Sequence, residues 1–426
     1  MFHMGLENLI IVVSLTILLS FASALIYRFT RIPDVVWLMG FGVLIGSGTH
    51  YIDKNLFTEL APLMSILALS IILFDAGINL DIVTLIDNMG KSLVLSVFSI
   101  LLSIILVGST IHILLPEKFT LAQGMLLGSM VGGTSTVAVF GVLGVLGESI
   151  PDMGSTRIML TMESILSDPI CIISSITIIK MIIRPDIGIS EGIGDIVSTF
   201  VLSSILGVGI GLFWSNVLHR LRTHPYTYMI TLSVLLPTYI LSEALVGDGS
   251  GAITALTFGL SITNYSFITR LLNRPGKVLI NIRRLREFHE EIVFFIKSFF
   301  FVYIGAIVTI SWRYLFIGFS IVILQMAMRY ILVKAVSGPL RLSVVERSVS
   351  SFLYVSGLPA FVMSQLPKIY DPTGIYFPNP EVYPNICMPI VLGTILYGAL
   401  LGPPLIKHEI NSGTRSAEKS PEEPEA

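Results

Sequence analysis

Apolar segments separated by short polar connections run through nearly the whole chain. A membrane-spanning helix needs about 20 predominantly apolar residues, and this criterion predicts about thirteen such helices. The expected fold class is therefore an all-α polytopic membrane protein. The predicted spans are residues 7–27, 35–49, 58–80, 91–115, 120–146, 156–183, 196–218, 226–246, 250–265, 291–309, 313–336, 348–366 and 384–406.

Composition supports a membrane protein and excludes several other classes. The 426 residues are 53% hydrophobic and 13% charged, whereas soluble domains carry about 25% charged residues. A net charge of −2 without a long basic block argues against nucleic-acid binding. Cys171 and Cys387 lie in apolar contexts, which favours two buried thiols over a disulfide or a zinc site. We expect no cofactor and no enzymatic activity.

Positive charge is divided unevenly between the two sets of connecting loops. With the N-terminus outside, eighteen of the 26 Lys and Arg residues fall on one side and six on the other, while Lys297 and Arg329 lie inside spans. Cytoplasmic loops carry the excess of positive charge. This bias predicts an external N-terminus, a cytoplasmic C-terminus and a cell-membrane location. Residues 409–426 are polar and rich in Pro, Ser and Glu, which predicts a disordered cytoplasmic tail.

Two spans contain residues that interrupt helices in mid-membrane. Gly132 and Gly133 lie in the fifth span, and Gly357 and Pro359 lie in the twelfth. An offset of seven spans makes these two segments run in opposite directions. Paired interruptions of this kind are typical of inverted repeats, in which two broken helices cross at the bilayer midplane beside a binding site. The alternative is that these small residues only permit close helix packing.

The strongest candidate for chemistry is Asp168. A carboxylate within a membrane costs a few kcal/mol and generally has a function. Ser164 lies one helical turn before Asp168 on the same face, and Ser167 lies beside it. One carboxylate with two hydroxyls suits a small monovalent cation, and a carboxylate removed from water also holds a proton more readily. The same group is therefore predicted to carry either ion. The alternative is a carboxylate that only bridges helices.

The other charges inside spans have simpler interpretations. Glu163 lies about 140° around the helix from Asp168, so the two acids need not bind one ion. Arg329 is the expected partner of Glu163, because a guanidinium keeps its charge when buried and binds carboxylates bidentately. Lys297 is interpreted equally well as a side chain that reaches the interface and as a functional group. The roles of two further acids, Asp75 and Glu243, remain open.

With these residues assembled, the chain resembles the monovalent cation/proton antiporters, in particular the sodium/proton exchanger-like branch. The similarity extends over nearly the whole membrane part. Residues 134–140 (Thr-Ser-Thr-Val-Ala-Val-Phe) resemble the motif of the family's first broken helix, and residues 163–169 (Glu-Ser-Ile-Leu-Ser-Asp-Pro) resemble its acidic signature. The remaining similar segments are residues 31–34, 42–46, 249–252, 258–260, 299–301 with Gly305, and Arg329.

The resemblance implies a role for each matching residue. It implies that Asp168 is the transport carboxylate, that Ser164 is a ligand of Na+ or K+ and Thr134 a backbone ligand at the break, and that Glu163 pairs with Arg329. Ser135 and Ser167 are further candidates for the cation- and proton-binding site. It also implies a homodimer with a function in pH homeostasis. Within a transport domain of residues 1–408, core helices at about 91–183 and 313–406 would move against scaffold helices at about 7–80 and 226–309. Residues 196–218 would form a linker helix.

Two departures from the family pattern bear on the mechanism. Ser135 stands where many relatives have Asp, and Ser167 stands where this branch usually has Asn. One acidic position fewer leaves one titratable ligand, which predicts electroneutral exchange and leaves the choice between Na+ and K+ open. Tyr330 also follows Arg329 where the family often has Pro.

Secondary-active exchange by alternating access is the leading hypothesis. A sodium-coupled symporter or a cation channel on the same architecture is the alternative. An intramembrane protease is disfavoured, because Asp248 and Ser250 lack the first glycine of the aspartyl and serine protease motifs.

Overall fold

The structure is a computed structural model that describes residues 2–30, 32–48, 54–147, 150, 153–185, 188–222, 224, 226–273 and 280–418. In these parts of the chain all regular structure is helical, as the apolar pattern predicts. The helices are α1 Phe2–Thr30, α2 Asp34–Gly48, α3 Lys54–Asn79, α4 Ile82–Leu114, α5 Leu121–Met130, α6 Thr136–Gly147, α7 Gly154–Ile183, α8 Ile189–Arg220, α9 Thr227–Leu245, α10 Ser250–Thr263, α11 Tyr265–Leu271, α12 Ile282–Ile307, α13 Trp312–Ser337, α14 Val344–Phe352, α15 Leu358–Ser364, α16 Leu366–Tyr370, α17 Val382–Leu396 and α18 Gly402–Glu418, with a π-helical segment Tyr397–Leu401 between the last two.

The predicted spans fall on these helices. Six helices of the described chain are long and apolar enough to cross a membrane by themselves. The remaining spans are shorter, partly charged or interrupted, so the count of thirteen crossings stays a prediction. The predicted fifth span is divided into α5 and α6, and the predicted twelfth span is divided into α14 and α15.

Local sequence explains where the broken helices begin. Thr120 and Gln123 form a capping box before α5, in which each side chain bonds the other residue's backbone N–H. Ser343 and Glu346 do the same before α14, so this helix starts before the predicted residue 348. Pro359 lies in the first turn of α15, where its missing N–H removes no helical hydrogen bond.

The helices pack in two groups. Helices α4, α5, α7, α13, α14, α15 and α17 contact one another, and so do α1, α2, α3, α8, α9, α10 and α12. Contacts between the groups are made mainly by α7 with α8 and α10, and by α15 with α3 and α12. We call the first set the core group and the second the scaffold group. Helix α8, expected as a linker, packs closely against α10 of the scaffold group.

Glycines allow the scaffold helices to approach each other. A Cβ at Gly42 of α2 would collide with the carbonyl of Val302 on α12, and a Cβ at Gly305 of α12 would collide with the carbonyl of Met39 on α2. Because both backbones meet without side chains between them, α2 and α12 form one rigid wall.

The expectation of a disordered tail from residue 409 is wrong for its first part. Helix α18 continues to Glu418, and residues 419–426 lie outside the described part of the chain. Lys334 of α13 forms an ion pair with Glu409 at 2.5 Å, and Ile406 is fully buried. These contacts hold α18 against the core group, which the polar composition of the segment does not reveal.

Candidate functional site

The two helix breaks touch each other inside the core group. The Ser135 N–H donates a hydrogen bond to the Val355 carbonyl at 2.6 Å, and the Tyr354 hydroxyl donates one to the Gly132 carbonyl at 2.5 Å. A Cβ at Gly357 would collide with the side chain of Ser135. Backbone groups that leave a helix inside a bilayer must find partners within the protein. Each break therefore supplies partners to the other.

Polar side chains that sequence reasoning did not single out complete this crossing. The Val131 carbonyl accepts hydrogen bonds from Gln325 Nε2 at 2.9 Å and from Ser356 Oγ at 3.1 Å. The Ser356 N–H donates to Thr394 Oγ1 at 3.1 Å. These residues lie on three different segments of the second half of the chain, so no local pattern connects them to the first break.

Three candidate site residues form one hydroxyl cluster, in which Thr134, predicted as a backbone ligand, also contributes its side chain. Thr134 Oγ1 lies 3.1 Å from Ser164 Oγ, and the Thr134 N–H donates to Ser167 Oγ at 3.0 Å. Ser167 Oγ in turn donates to the Ser164 carbonyl at 2.9 Å. The structure thus joins the first break to the middle of α7. The hydroxyls bond one another here, whereas the sequence placed them around Asp168.

Asp168 lies beside this cluster and faces a cavity. A Cβ built on Gly133 would lie 3.4 Å from Ser167 Oγ and 3.7 Å from Asp168 Oδ1, so both groups are close to the break. Asp168 is 8% exposed, and none of the described residues donates a hydrogen bond to its carboxylate. It lines a cavity of about 690 Å³ together with Ser135 and Gly357. A buried carboxylate that opens onto such a space can bind an ion arriving from it.

Glu163 has a different environment on the same helix. Its two carboxylate oxygens accept hydrogen bonds from Arg329 Nη1 at 2.5 Å and Nη2 at 2.7 Å. The guanidinium also donates to Ser99 Oγ and to the Ser350 carbonyl, both at 2.8 Å, and lies 5.5 Å from the centre of the Tyr354 ring. Both charged side chains are buried. The structure therefore brings together the pair that the sequence predicted. The contacts of Arg329 with Ser99 on α4 and with Ser350 on α14 were not predicted.

The opposite wall of the cavity carries a second ion pair. Asp34 begins α2 and Lys297 lies on α12, with Lys297 Nζ 3.5 Å from Asp34 Oδ2. Both residues line the cavity that contains Asp168. The sequence left the role of Lys297 open and used Asp34 only as part of a motif. Nothing in the local pattern joins these two positions.

The two acids whose roles were open lie elsewhere. The carboxylate of Glu243 accepts hydrogen bonds from the N–H groups of Gly249 and Gly251 at 2.8–3.1 Å, which stabilises the turn between α9 and α10. Asp75 of α3 lies among scaffold residues, near Glu290 and Arg286 of α12. Neither acid lines the cavity of Asp168.

The arrangement of two crossing breaks, a buried acid and a buried ion pair can be compared with known proteins. Residues 14–410 match the profile of the family described as "Sodium/hydrogen exchanger, transmembrane". This protein belongs to the sodium/hydrogen exchanger family.

The names of similar proteins in this exchanger family specify different cations. The chain is 25% identical over 309 residues to the Na(+)/H(+) antiporter ApNhaP of Aphanothece halophytica, a match that covers 71% of this chain and 54% of the relative. It is 29% identical over 242 residues to the K(+)/H(+) antiporter NhaP2 of a Shewanella species, covering 55% of this chain and 40% of the relative. The chain thus spans about half or less of the length of these relatives.

The exchanger fold is also supported by a solved structure. The sodium proton antiporter MjNhaP1 from Methanocaldococcus jannaschii superposes with a TM-score of 0.76 at 18% identity, covering 93% of this chain and 99% of that one. At this identity the likeness establishes the fold alone, which is all-helical in the described residues of this chain.

Proposed function

We propose that the protein is a secondary-active antiporter that exchanges a monovalent cation, Na+ or K+, for H+ by alternating access. The observation that carries this proposal is Asp168, a buried carboxylate that faces the cavity and has no cationic partner among the residues that the structure describes. One negative charge in such a place binds one proton or one monovalent cation. The antiporter names of the relatives favour exchange over a symporter or a channel.

The charge balance around the cavity supports electroneutral exchange. Glu163 is neutralised by Arg329, and Asp34 is paired with Lys297. Ser135 contributes a neutral side chain where many relatives have Asp. Among the described residues that line the cavity, Asp168 is therefore the acid left to titrate, and it carries the same net charge whether a proton or a monovalent cation occupies it. One cation moves for one proton, and no membrane potential develops.

Thr134, Ser164 and Ser167 would complete the cation site. Their hydroxyl cluster adjoins Asp168, and oxygen ligands of this kind suit Na+ or K+. A rotation of the Ser164 or Ser167 hydroxyl away from Thr134 would turn a lone pair towards an ion at Asp168. Selectivity between the two cations would depend on how closely these oxygens approach the ion.

The cavity also supports an orientation. It extends from Asp168 to Tyr27 and Thr30 at the C-terminal end of α1 and to Lys407 in the first half of α18. Both positions belong to the side that carries the excess of Lys and Arg. By the positive-inside rule this side faces the cytoplasm. We therefore assign the conformation as open to the cytoplasm, in a cell membrane, with the N-terminus outside. A homodimer formed through the scaffold group is part of the same proposal.

The proposal is tested by exchange in proteoliposomes. The purified protein is reconstituted, and internal pH is followed after addition of Li+, Na+ or K+, with and without a clamped membrane potential. We expect Na+ or K+ to drive proton movement, Asp168→Asn to abolish it, and the clamp to leave the rate unchanged. Exchange at the wild-type rate by Asp168→Asn would refute the assignment of Asp168. Steady-state exchange that generates a membrane potential would refute electroneutrality.

A further inference from the structure

The cavity of Asp168 has two chemically different walls. The core wall contributes Ser135, Asp168 and Gly357, and the scaffold wall contributes Asp34 and Lys297. Val293, Lys297 and Phe301 lie at intervals of four residues on α12, so they present one helix face to the cavity. Lys297 therefore points into the transport cavity, which argues against the interpretation that its side chain reaches the membrane interface.

The ion pair on the scaffold wall is longer than two other lysine–carboxylate pairs on the same side of the protein. Lys297 Nζ lies 3.5 Å from Asp34 Oδ2, whereas Lys91 lies 2.9 Å from Glu346 and Lys334 lies 2.5 Å from Glu409. The side chain of Asp34 is 24% exposed and that of Lys297 is 12% exposed. An ion that enters the cavity can therefore reach the Asp34 carboxylate.

Asp34 is held in place independently of Lys297. It is the first residue of α2, and its Oδ1 accepts a hydrogen bond from the Val35 N–H at 3.0 Å. Helix α2 is fixed against α12 by the close contact at Gly42 and Gly305. Loss of the ammonium would thus leave a positioned carboxylate in the cavity.

From these contacts we propose that Asp34 is an accessory site for the transported monovalent cation, and that the Lys297 ammonium competes with the cation for this carboxylate. The inference rests on the proposed exchange function and deepens it. In the absence of cation, Lys297 occupies Asp34 and keeps the scaffold wall neutral. A cation that displaces the ammonium is held in the same cavity as Asp168, so the pair sets the apparent affinity for the cation.

The proposal predicts opposite effects for the two members of the pair. Lys297→Gln removes the competitor and leaves a free carboxylate, so the KM for the cation falls about fivefold, the size expected for one partly exposed ion pair. Asp34→Asn leaves an unpaired ammonium that repels cations, and KM rises by a similar factor. The double variant restores a neutral wall, and its KM returns to within about twofold of wild type. The kcat changes less than KM in all three variants.

The experiment measures initial rates of proton movement in proteoliposomes against Na+ and K+ concentration. Lys297→Arg keeps the positive charge, so its KM is expected to shift less than that of Lys297→Gln. Lys334→Gln removes a lysine from an ion pair on the same side of the protein, outside the cavity lining, and controls for a general effect of charge. The melting temperature of each purified variant is also measured against cation concentration. The midpoint of its change reports cation binding independently of exchange activity.

The outcomes separate the two proposals. Absence of exchange by the wild type would refute the function, and the binding midpoints would still test the pair. Unchanged KM and unchanged midpoints in Lys297→Gln and Asp34→Asn would overturn the accessory site, as would shifts in the same direction for both. Equal shifts in Lys334→Gln would also overturn it, because surface charge would then explain the result.

Discussion

Glu163 and Asp168 lie five residues apart on α7, but they differ in their hydrogen bonds, in the presence of a cationic partner and in their access to the cavity. Glu163 receives two hydrogen bonds from Arg329, whose guanidinium is fully buried and bonded in turn to Ser99 and Ser350. Asp168 faces a cavity and receives no hydrogen bond from the described residues. Both are carboxylates in one apolar helix.

The difference teaches that burial alone does not make a membrane carboxylate a transport group. A carboxylate with a permanent cationic partner is already neutralised and has little reason to bind another ion. A carboxylate that has hydroxyls and a cavity beside it, but no cation, must take its counter-charge from solution. Arg329, which comes from α13, gives Glu163 a permanent cationic partner.

Glu163→Gln is expected to have the largest effect on stability. It leaves the Arg329 guanidinium buried without its counter-charge, and breaking a buried pair in this way costs about 3–5 kcal/mol. Asp168→Asn removes no hydrogen bond or ion pair to a described residue and should leave stability unchanged or higher. Thermal melting of the purified variants in one detergent measures the difference.

The matched control is a double variant, Glu163→Leu with Arg329→Met, which removes both charges. Its loss of stability should be smaller than the sum of the losses in Glu163→Leu alone and Arg329→Met alone. If Asp168→Asn were destabilised as much as Glu163→Gln, the distinction between a structural and a transport acid would be wrong.

Gly357→Ala is expected to have an intermediate effect on stability and to slow exchange, because it changes the contact between the two breaks beside Asp168. The new methyl group collides with the side chain of Ser135 and pushes the two breaks apart, and overpacking of this kind costs about 1–3 kcal/mol. We expect the exchange rate to fall by about tenfold or more, measured in proteoliposomes at saturating cation.

Two controls locate this effect. Gly144→Ala places a methyl group on α6 where nothing lies within 4 Å, so its rate should match wild type. Ser135→Gly combined with Gly357→Ala removes the collision and should recover part of the rate. A double variant as slow as Gly357→Ala alone would show that the contact between the breaks is not the cause.

Glu346→Gln is expected to have the smallest effect on stability. Glu346 is an acid outside the predicted spans, so it extends the comparison of Glu163 and Asp168 to a carboxylate outside the membrane. Burial of Glu346 favours a higher pKa, but hydrogen bonds from the Ser343 N–H, Lys91 and Ser155 outweigh it and hold the pKa below 4.5. The carboxylate therefore stabilises the protein above pH 4.5, and this contribution disappears as the pH falls through the lowered pKa.

The expected loss in Glu346→Gln is about 1 kcal/mol at neutral pH, seen as a lower melting temperature that converges with wild type in acid. Cation KM should not change, because Glu346 does not line the cavity. A constant difference in melting temperature from pH 7 to pH 4 would contradict the role of the ionised carboxylate.

Much of the fold and part of the site could be predicted from local sequence. Helix positions follow from apolar segments, and the breaks follow from Gly132, Gly133, Gly357 and Pro359. The partnership of Glu163 and Arg329 was predictable, because few cations lie inside spans and a buried acid needs one. The early start of α14 was also visible in the spacing of Ser343 and Glu346, although hydropathy alone missed it.

Other contacts could not be predicted from sequence. Asp34 and Lys297 look like a helix-start acid and a lysine near a span end, and only the packing of α2 on α12 brings them together in the cavity. The hydroxyls of Ser164 and Ser167 were placed on the correct helix, but their bonds to Thr134 depend on how the first break folds back onto α7. The helix after residue 409 depends on its contact with Lys334.

The sequence by itself determined that this is a helical membrane protein with two interrupted spans, a candidate transport acid and a paired glutamate. These features depend on periodicity, hydropathy and the cost of a charge in lipid, which act on each segment separately. The tertiary structure decided which oxygens bond each other, which acid faces the cavity and which ion pair forms its opposite wall. Those features depend on distances between segments far apart in the chain, which are set only when the core group and the scaffold group pack together.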